Sequence, residues 1–361
     1  MKIVIIGAGI AGLSIGWRLA QSGAAVTVLE RAQPGRGATW ASAGMISATA
    51  EVGEADSPET RFAHHSALLW PHFAREVEEE SGLNVDYLAD GALIAATTSD
   101  EAAMLSLRAK GSAGLEFLVR DAARSLEPML ADSIEGALFD PSEAQVDNRA
   151  LGPALAIALQ RAGGILQTNE PVVRMECENG RAVAAQTPFR THRADAFVLS
   201  AGAWSAQIEG LPREAVPPVN PIKGEMIALA SKKDALPRHV VWGNGVYLVP
   251  RGDRLLVGAT VADQGFDTRT TDEAGQWLDS RAVGLMPQLE NWPVVEQWAG
   301  LRPGSPDGLP LIGPSHIENL FVASGQFRNG ILFAPAIADS MRRLVLEGEA
   351  ATAAFDPRRF C

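Results

Sequence analysis

Apolar and polar positions change rhythm several times along the chain. KIVIIG, near the start, is a short β-branched run without polar alternation, and it predicts a buried strand. IAGLSIGWRLAQSG follows, placing Ile10, Leu13, Trp17 and Ala20 on one face of a helix that Gly23 closes. AVTVLE is a second strand, so residues 2–30 read as a strand–helix–strand crossover of the kind that builds parallel sheets. A segment of small residues, PGRGATWASAGMIS, comes next, and helical spacing then covers much of 57–82. Residues 91–98 (GALIAATT) and 115–119 have strand patterns, and Asp147 is placed to cap a helix over NRALGPALAIALQRAGG. VVRMECENGRAVAAQ turns at ENG, and ADAFVLSAGAWS is an apolar strand running into a small-residue turn. From about 216 to 300 β patterns dominate, in EMIALA, HVVWGNGVYLVPR and RLLVGATV. There is no internal repeat and no low-complexity tract. The pattern predicts a mixed α/β fold, a parallel-sheet nucleotide domain interrupted by antiparallel β material.

Composition narrows the class. A chain of 361 residues is too long for one compact core, so two domains are expected. A net charge of −12 argues against nucleic acid or an anionic membrane as partner, because phosphate contacts need clustered Lys and Arg. Cys177 and Cys361 are too few for a disulfide framework and are compatible with a reducing cytosol. Cys361 ends the chain, so RRFC lacks the residues a prenylation box needs after its cysteine. No run approaches the roughly 18 apolar residues of a membrane span. The apolar start carries one Lys and is broken by glycines, which speaks against a cleaved signal peptide. A cytoplasmic location is the expectation.

Gly7, Gly9 and Gly12 spell G-x-G-x-x-G between the first strand and the helix, and Glu30 ends the next strand 18 residues after Gly12. Such a triplet alone is weak; the strand, helix and acidic residue around it make it a dinucleotide fingerprint. Gly7 permits the tight turn, Gly9 lets backbone approach a pyrophosphate, and Gly12 lets helix and strand pack closely. The helix N-terminus offers free N–H groups to phosphates, and Glu30 can accept ribose hydroxyls. Arg31 could serve the 2′-phosphate of NADP. Against a plain nicotinamide enzyme stands the small-residue segment after VTVLER, which has no obvious role there. Against joint use of FAD and NAD(P)H stands the lack of a second fingerprint. LSAGAWS, with Gly202, is suited to a second backbone approach to a cofactor.

The stretches IVIIGAGIAGLSIGWRLAQSGAAVTVLER, ATWASAGMI, FVLSAGAWS, GLRPGSPDGLPLIG and SGQFRNGILFAP occur in an order that resembles FAD-dependent amino-acid oxidases of the D-amino-acid oxidase superfamily. Within it the chain resembles the glycine oxidases, a family linked to thiamine biosynthesis, from residue 3 to about 343. Three positions depart from that pattern. Gln326 stands where glycine oxidases commonly carry His, IKGEM replaces the usual Arg-Gly-Gln version of 222–226, and VDNRAL lacks the proline common after Asp147. They bear on substrate rather than on fold.

The resemblance implies a Rossmann-like FAD-binding domain made of residues 1–85, 145–215 and 300–361. A discontinuous antiparallel-sheet substrate domain is implied for 86–144 and 216–299. It implies non-covalent FAD held at Ile10 and Ala11, at Glu30 and Arg31, at Ala38 and Thr39, and at Ala43, Gly44 and Met45. Val172 would lie beside the adenosine. Gln326, Phe327, Arg328, Asn329, Gly330, Ile331 and Leu332 would surround the flavin. Tyr247, Arg302 and Arg328 are the implied substrate residues.

The residue types agree with that chemistry. An arginine cannot shed its charge, and a dry setting makes an unpaired one costly. Arg302 in GLRPG and Arg328 in QFRNG are therefore candidates to pair with a substrate carboxylate, or for Arg328 with the flavin carbonyl region. Amine oxidation needs no protein nucleophile: a hydride leaves the α-carbon, and the imine is hydrolysed to an oxoacid and ammonia. No G-x-S-x-G, H-E-x-x-H or C-x-x-C occurs, and His64, His65, His72, His192, His239 and His316 lack zinc-site spacing. Neither cysteine offers a convincing flavin linkage. Three functions remain in view: an oxidase passing electrons from small amines to O₂ and making hydrogen peroxide, a dehydrogenase of the same fold serving a quinone or partner, and a non-catalytic dinucleotide-binding protein. A homo-oligomer is compatible with each.

Overall fold

The computed structural model describes residues 1–52, 56–231, 236–350 and 352–360. Cys361 lies outside the described residues. KIVII forms the strand Lys2–Ile6, and every residue after Lys2 is buried. It lies inside a six-stranded sheet whose order is Leu311–Pro314, Leu320–Ser324, Ala196–Leu199, Lys2–Ile6, Ala25–Leu29, Ile165–Gln167. All neighbours are parallel except the edge strand Leu311–Pro314. A parallel sheet is covered on both faces, which explains the absence of polar alternation. Ile3 and Ile5 join the core beneath the helices, while Val4 and Ile6 face a second core with Phe197 and Met175. That second face is covered by the three-stranded antiparallel sheet Arg174–Glu178, Arg181–Gln186 and Thr191–Arg193. Its first hairpin turns at Asn179 and Gly180, both with positive φ, at the ENG seen in sequence.

The helix Ile10–Gln21 was expected to bury one face. Instead ten of its twelve residues are buried. It is wedged between the sheet and the helices Asn148–Arg161 and Gly330–Glu347. Gly16 permits this, since a Cβ there would stand 3.0 Å from Val28 Cγ2. The long helix Pro58–Ser81 packs outside these two, starting at the Ser57 cap and ending at Gly82 in the left-handed conformation. Asp147 caps Asn148–Arg161 as expected, accepting the Arg149 and Ala150 N–H groups at 2.8 and 3.2 Å. No helix among the described residues is long and apolar enough to cross a membrane.

The β-rich middle of the chain builds an eight-stranded sheet. Only Val240–Gly243 and Ala92–Ala96 pair in parallel there; the other pairs are antiparallel. Its longest pair joins Asn220–Ala230 to Val294–Gly304, with Ile222 opposite Arg302 and Gly224 opposite Gly300. One face packs against the helix Asp272–Leu285 through Ile227, Leu248, Val257 and Leu278. The other carries Met226, Tyr247 and Trp298 against Ala41 and Ala43 of the small-residue segment. That segment therefore joins the two sheets, and a cleft opens along it. The architecture is the mixed α/β one expected, with parallel and antiparallel sheets both present.

Candidate active site

One cleft of about 360 Å³ takes in every candidate cofactor- or substrate-binding residue read from the sequence except Gly12. Its volume lies in the range of cofactor and small-molecule sites. Gly12 sits just beneath, where a Cβ would fall 1.9 Å from Gly7 O. Gly7 has φ +102°, and a Cβ there would meet Ser200 O at 2.5 Å. These two glycines are demanded by the fold itself. Gly9 is different. The nearest atom to a Cβ there is Thr39 Oγ1, at an ordinary 3.6 Å. No protein atom requires Gly9 to lack a side chain, so the open space above it fits a group that must come close to backbone.

The rest of that end fits a dinucleotide. The helix Ile10–Gln21 begins at Gly9 with no side-chain cap and no acidic residue in its first turn, which leaves its positive end to the cleft. Among the described residues, Thr39 Oγ1 takes the Ile10 N–H at 2.9 Å. Glu30 is held at the strand end by the Ala8 and Ala32 N–H groups at 2.8 and 3.0 Å. Arg31 lies 3.5 Å over the Trp204 ring, a stacking that the sequence did not reveal. Burial lowers its pKa while Glu30 raises it. Gly44, at φ +77°, presses against Val146 O, and Arg251 Nη2 donates to Ala43 O at 2.8 Å. At the far side, Gln326 Nε2 and Asn329 Oδ1 are buried without a hydrogen-bond partner among the described residues. Orphaned polar atoms facing a cleft fit a polar ligand.

The other end carries charge. Arg302 projects from Val294–Gly304 across the bare face of Gly224, where a Cβ would fall 2.2 Å from Arg302 Nη1. Nη1 donates to Thr260 O at 3.1 Å and to Lys223 O at 3.3 Å. No carboxylate among the described residues forms an ion pair with it. Burial pulls its pKa down, while Tyr247 and Glu51 raise it and Arg328 opposes them. Tyr247 is buried beside it, with its hydroxyl 3.7 Å from Met226 Sδ, and burial pushes its phenol up.

Arg328 already has an anion. Its Nε lies 2.7 Å from Glu51 Oε2, and Nη2 lies 3.4 Å from Oε1. Glu51 lines the cleft with its side chain only 8% exposed. Burial raises its pKa, and Arg328 pulls it back down. Sequence reading missed this residue. Its only signal was an acid among small residues in SATAEV, which no periodicity marks.

Glu51 ends the short helix Ala48–Glu51, whose start is tied to Glu143: Oε1 accepts the Thr49 and Ala50 N–H groups at 3.0 and 2.9 Å. Burial, helped by Asp140, raises the Glu143 pKa from 4.5 to about 7. Its folded form therefore keeps a proton that the unfolded chain releases. The resulting stability is full below pH 4.5 and is lost as pH rises through about 7. Glu143→Gln keeps a neutral acceptor and should remove the dependence. Between about pH 5 and about pH 8, the wild type should lose on the order of 3 kcal/mol relative to the variant. Urea unfolding at both pH values measures this; parallel changes in the two proteins would mean that Glu143 is not the group responsible.

The comparisons with known proteins agree with this geometry. The model of the DAO family, described as FAD dependent oxidoreductase, matches residues 2–344. The glycine oxidase of Geobacillus kaustophilus is 34% identical over 353 residues, covering 94% of this chain and 93% of that protein. Its crystal structure superposes with a TM-score of 0.92, covering 98% of both chains. The iminodiacetate oxidase of Chelativorans sp. is 29% identical, with a TM-score of 0.87 and 98% of both chains covered. The bifunctional protein ThiO/ThiG of Trichormus variabilis is 35% identical over 350 residues, which is 96% of this chain and 52% of that protein. The chain thus spans about half the length of that relative. A glycine turn shaped for a pyrophosphate, a cleft ending at an arginine without a carboxylate, and a family match over nearly the whole length lead to one assignment: the chain belongs to the DAO family of FAD dependent oxidoreductases.

Proposed function

We propose that the protein oxidatively deaminates glycine and other small amines, with O₂ as electron acceptor and hydrogen peroxide as product. The observation that carries this reading is Arg302, a half-buried guanidinium with no carboxylate partner among the described residues, facing the cleft beside Tyr247. FAD would be held without a covalent link by the turn at Gly7 and Gly9, by Glu30 and Arg31, by the segment from Ala38 to Met45, by Val172 and Gly202, and by Gln326 to Leu332. When bound it supplies a two-electron acceptor for the α-carbon hydride. Arg302 would grip the substrate carboxylate through the edge of its fork left free by Lys223 O and Thr260 O. That grip fixes the direction of the α-carbon. Tyr247 and Met226 wall the space where a side chain would go. Loss of that hydride from carbon and of a proton from nitrogen leaves an imine, which water converts to an oxoacid and ammonia. The domain division at 85/86, 144/145, 215/216 and 299/300, a cytoplasmic location and a place in thiamine biosynthesis belong to the same proposal.

The test is anaerobic. Yellow holoprotein should bleach with glycine or sarcosine, more slowly with D-alanine, and least with D-phenylalanine, since overpacking a small pocket costs typically about 1–3 kcal/mol. Admitting air should restore colour and release peroxide. Bleaching without peroxide in air would favour a dehydrogenase instead. Fastest reduction by a large D-amino acid would end the small-pocket reading, and no bleaching with any amine would end the proposal.

A further inference from the structure

The cleft end holds two arginines and one carboxylate. Arg302 has no carboxylate partner, whereas Arg328 is engaged at both Nε and Nη2 by Glu51. The three groups are near enough for each arginine and Glu51 to shift the titration of Tyr247 between them. Among the described residues, these three groups together present one net positive charge to a ligand, not two. Glu51 is also not a loose surface side chain. Its helix Ala48–Glu51 is held from behind by Glu143 on two backbone N–H groups and by Arg108 on Thr49 O. Removing the partner of a nearly buried carboxylate is costly, so Glu51 and Arg328 hold each other in place.

We propose that Glu51 is a specificity-determining residue: by occupying Arg328 it restricts the site to amines with a single carboxylate and rejects those with a second anionic group. The inference rests on the amine-oxidase reading above. A dicarboxylate amine gripped at one end by Arg302 would bring its second carboxylate towards Glu51. There it meets repulsion, and the other guanidinium described at the cleft end, Arg328, is taken. Specificity of this kind comes from a repulsive element as much as from an attractive one. An iminodiacetate oxidase shares the fold at a TM-score of 0.87, so the fold itself does not forbid such substrates.

The probes are methoxyacetate and oxydiacetate, ether analogues with one and two carboxylates and no oxidisable C–N bond. Both are titrated calorimetrically into holoprotein at about pH 8. Wild type should bind methoxyacetate the more tightly. Glu51→Gln should shift the ratio towards oxydiacetate by about ten-fold or more. Glu51→Asp, which keeps the charge, should stay near the wild-type ratio. Adding Arg328→Met to Glu51→Gln should abolish the gain, because the freed guanidinium is its source. In parallel, iminodiacetate should reduce the flavin of Glu51→Gln faster, relative to glycine, than that of wild type. An unchanged binding ratio in Glu51→Gln, or a gain that survives loss of Arg328, overturns the proposal. So does a wild type that prefers oxydiacetate, which decides the matter even where a variant fails to fold. If no amine reduces the wild-type flavin, the amine-oxidase reading falls, while the binding ratios still report on Glu51.

Discussion

Gly9→Val should give a folded protein that purifies without its yellow colour. The three fingerprint glycines are not equivalent. At Gly12 a Cβ would lie 1.9 Å from Gly7 O, and at Gly7 it would lie 2.5 Å from Ser200 O. Side chains there break the turn itself. At Gly9 a Cβ meets only Thr39 Oγ1 at 3.6 Å, so the apoprotein has room for it. The valine methyls would instead fill the space through which a pyrophosphate must approach the start of the helix Ile10–Gln21. We expect FAD occupancy to fall below about a tenth of wild type, consistent with blocking a site on which the whole phosphate grip depends. Far-ultraviolet circular dichroism and the thermal midpoint of the apoprotein should match those of wild-type apoprotein. Full flavin content in a folded Gly9→Val protein would remove the cofactor assignment from this turn. Gly12→Val should differ in kind, with poor expression or a lost transition.

Arg302→Met should spare the flavin and abolish capture of the substrate. The Arg302 guanidinium is anchored by the carbonyls of Thr260 and Lys223, neither of which belongs to the fingerprint turn. Flavin content should therefore survive. Losing one partner of a desolvated charge pair costs about 2–5 kcal/mol, so kcat/KM for glycine should fall on the order of 10²–10⁴-fold. The loss should lie mainly in KM, because the carboxylate is bound in the ground state as well as in the transition state. Arg302→Lys keeps the charge without the planar fork and should fall between the two proteins. Methionine also takes the guanidinium donor from Thr260 O, while Lys223 O keeps the Ala262 N–H at 3.0 Å, so a modest drop in thermal midpoint is expected alongside. Glycine kinetics unchanged in Arg302→Met would place the carboxylate elsewhere.

What could be read along the chain was local. KIVIIG announced a strand buried on both faces because a run of β-branched residues without polar alternation fits little else. Asp147 and Gly23 marked helix ends, and Asn179–Gly180 marked a hairpin, because caps and tight turns are short-range steric and hydrogen-bond problems. The all-round burial of Ile10–Gln21 was not legible, because two further helices from distant parts of the chain cover what its own periodicity leaves polar or small.

The candidate site divides along the same line. Residue type and spacing alone determined the strand–turn–helix with its three glycines, the acid at position 30, and two arginines whose charge is permanent and must be answered. Which anion answers each arginine was decided by tertiary structure. Arg328 meets Glu51 across 277 positions of sequence, and Arg302 reaches the cleft only because the register of two long strands sets Gly224 under its guanidinium. Pairing of that kind depends on the closure of two sheets against each other, and charge complementarity leaves no periodic trace along a chain.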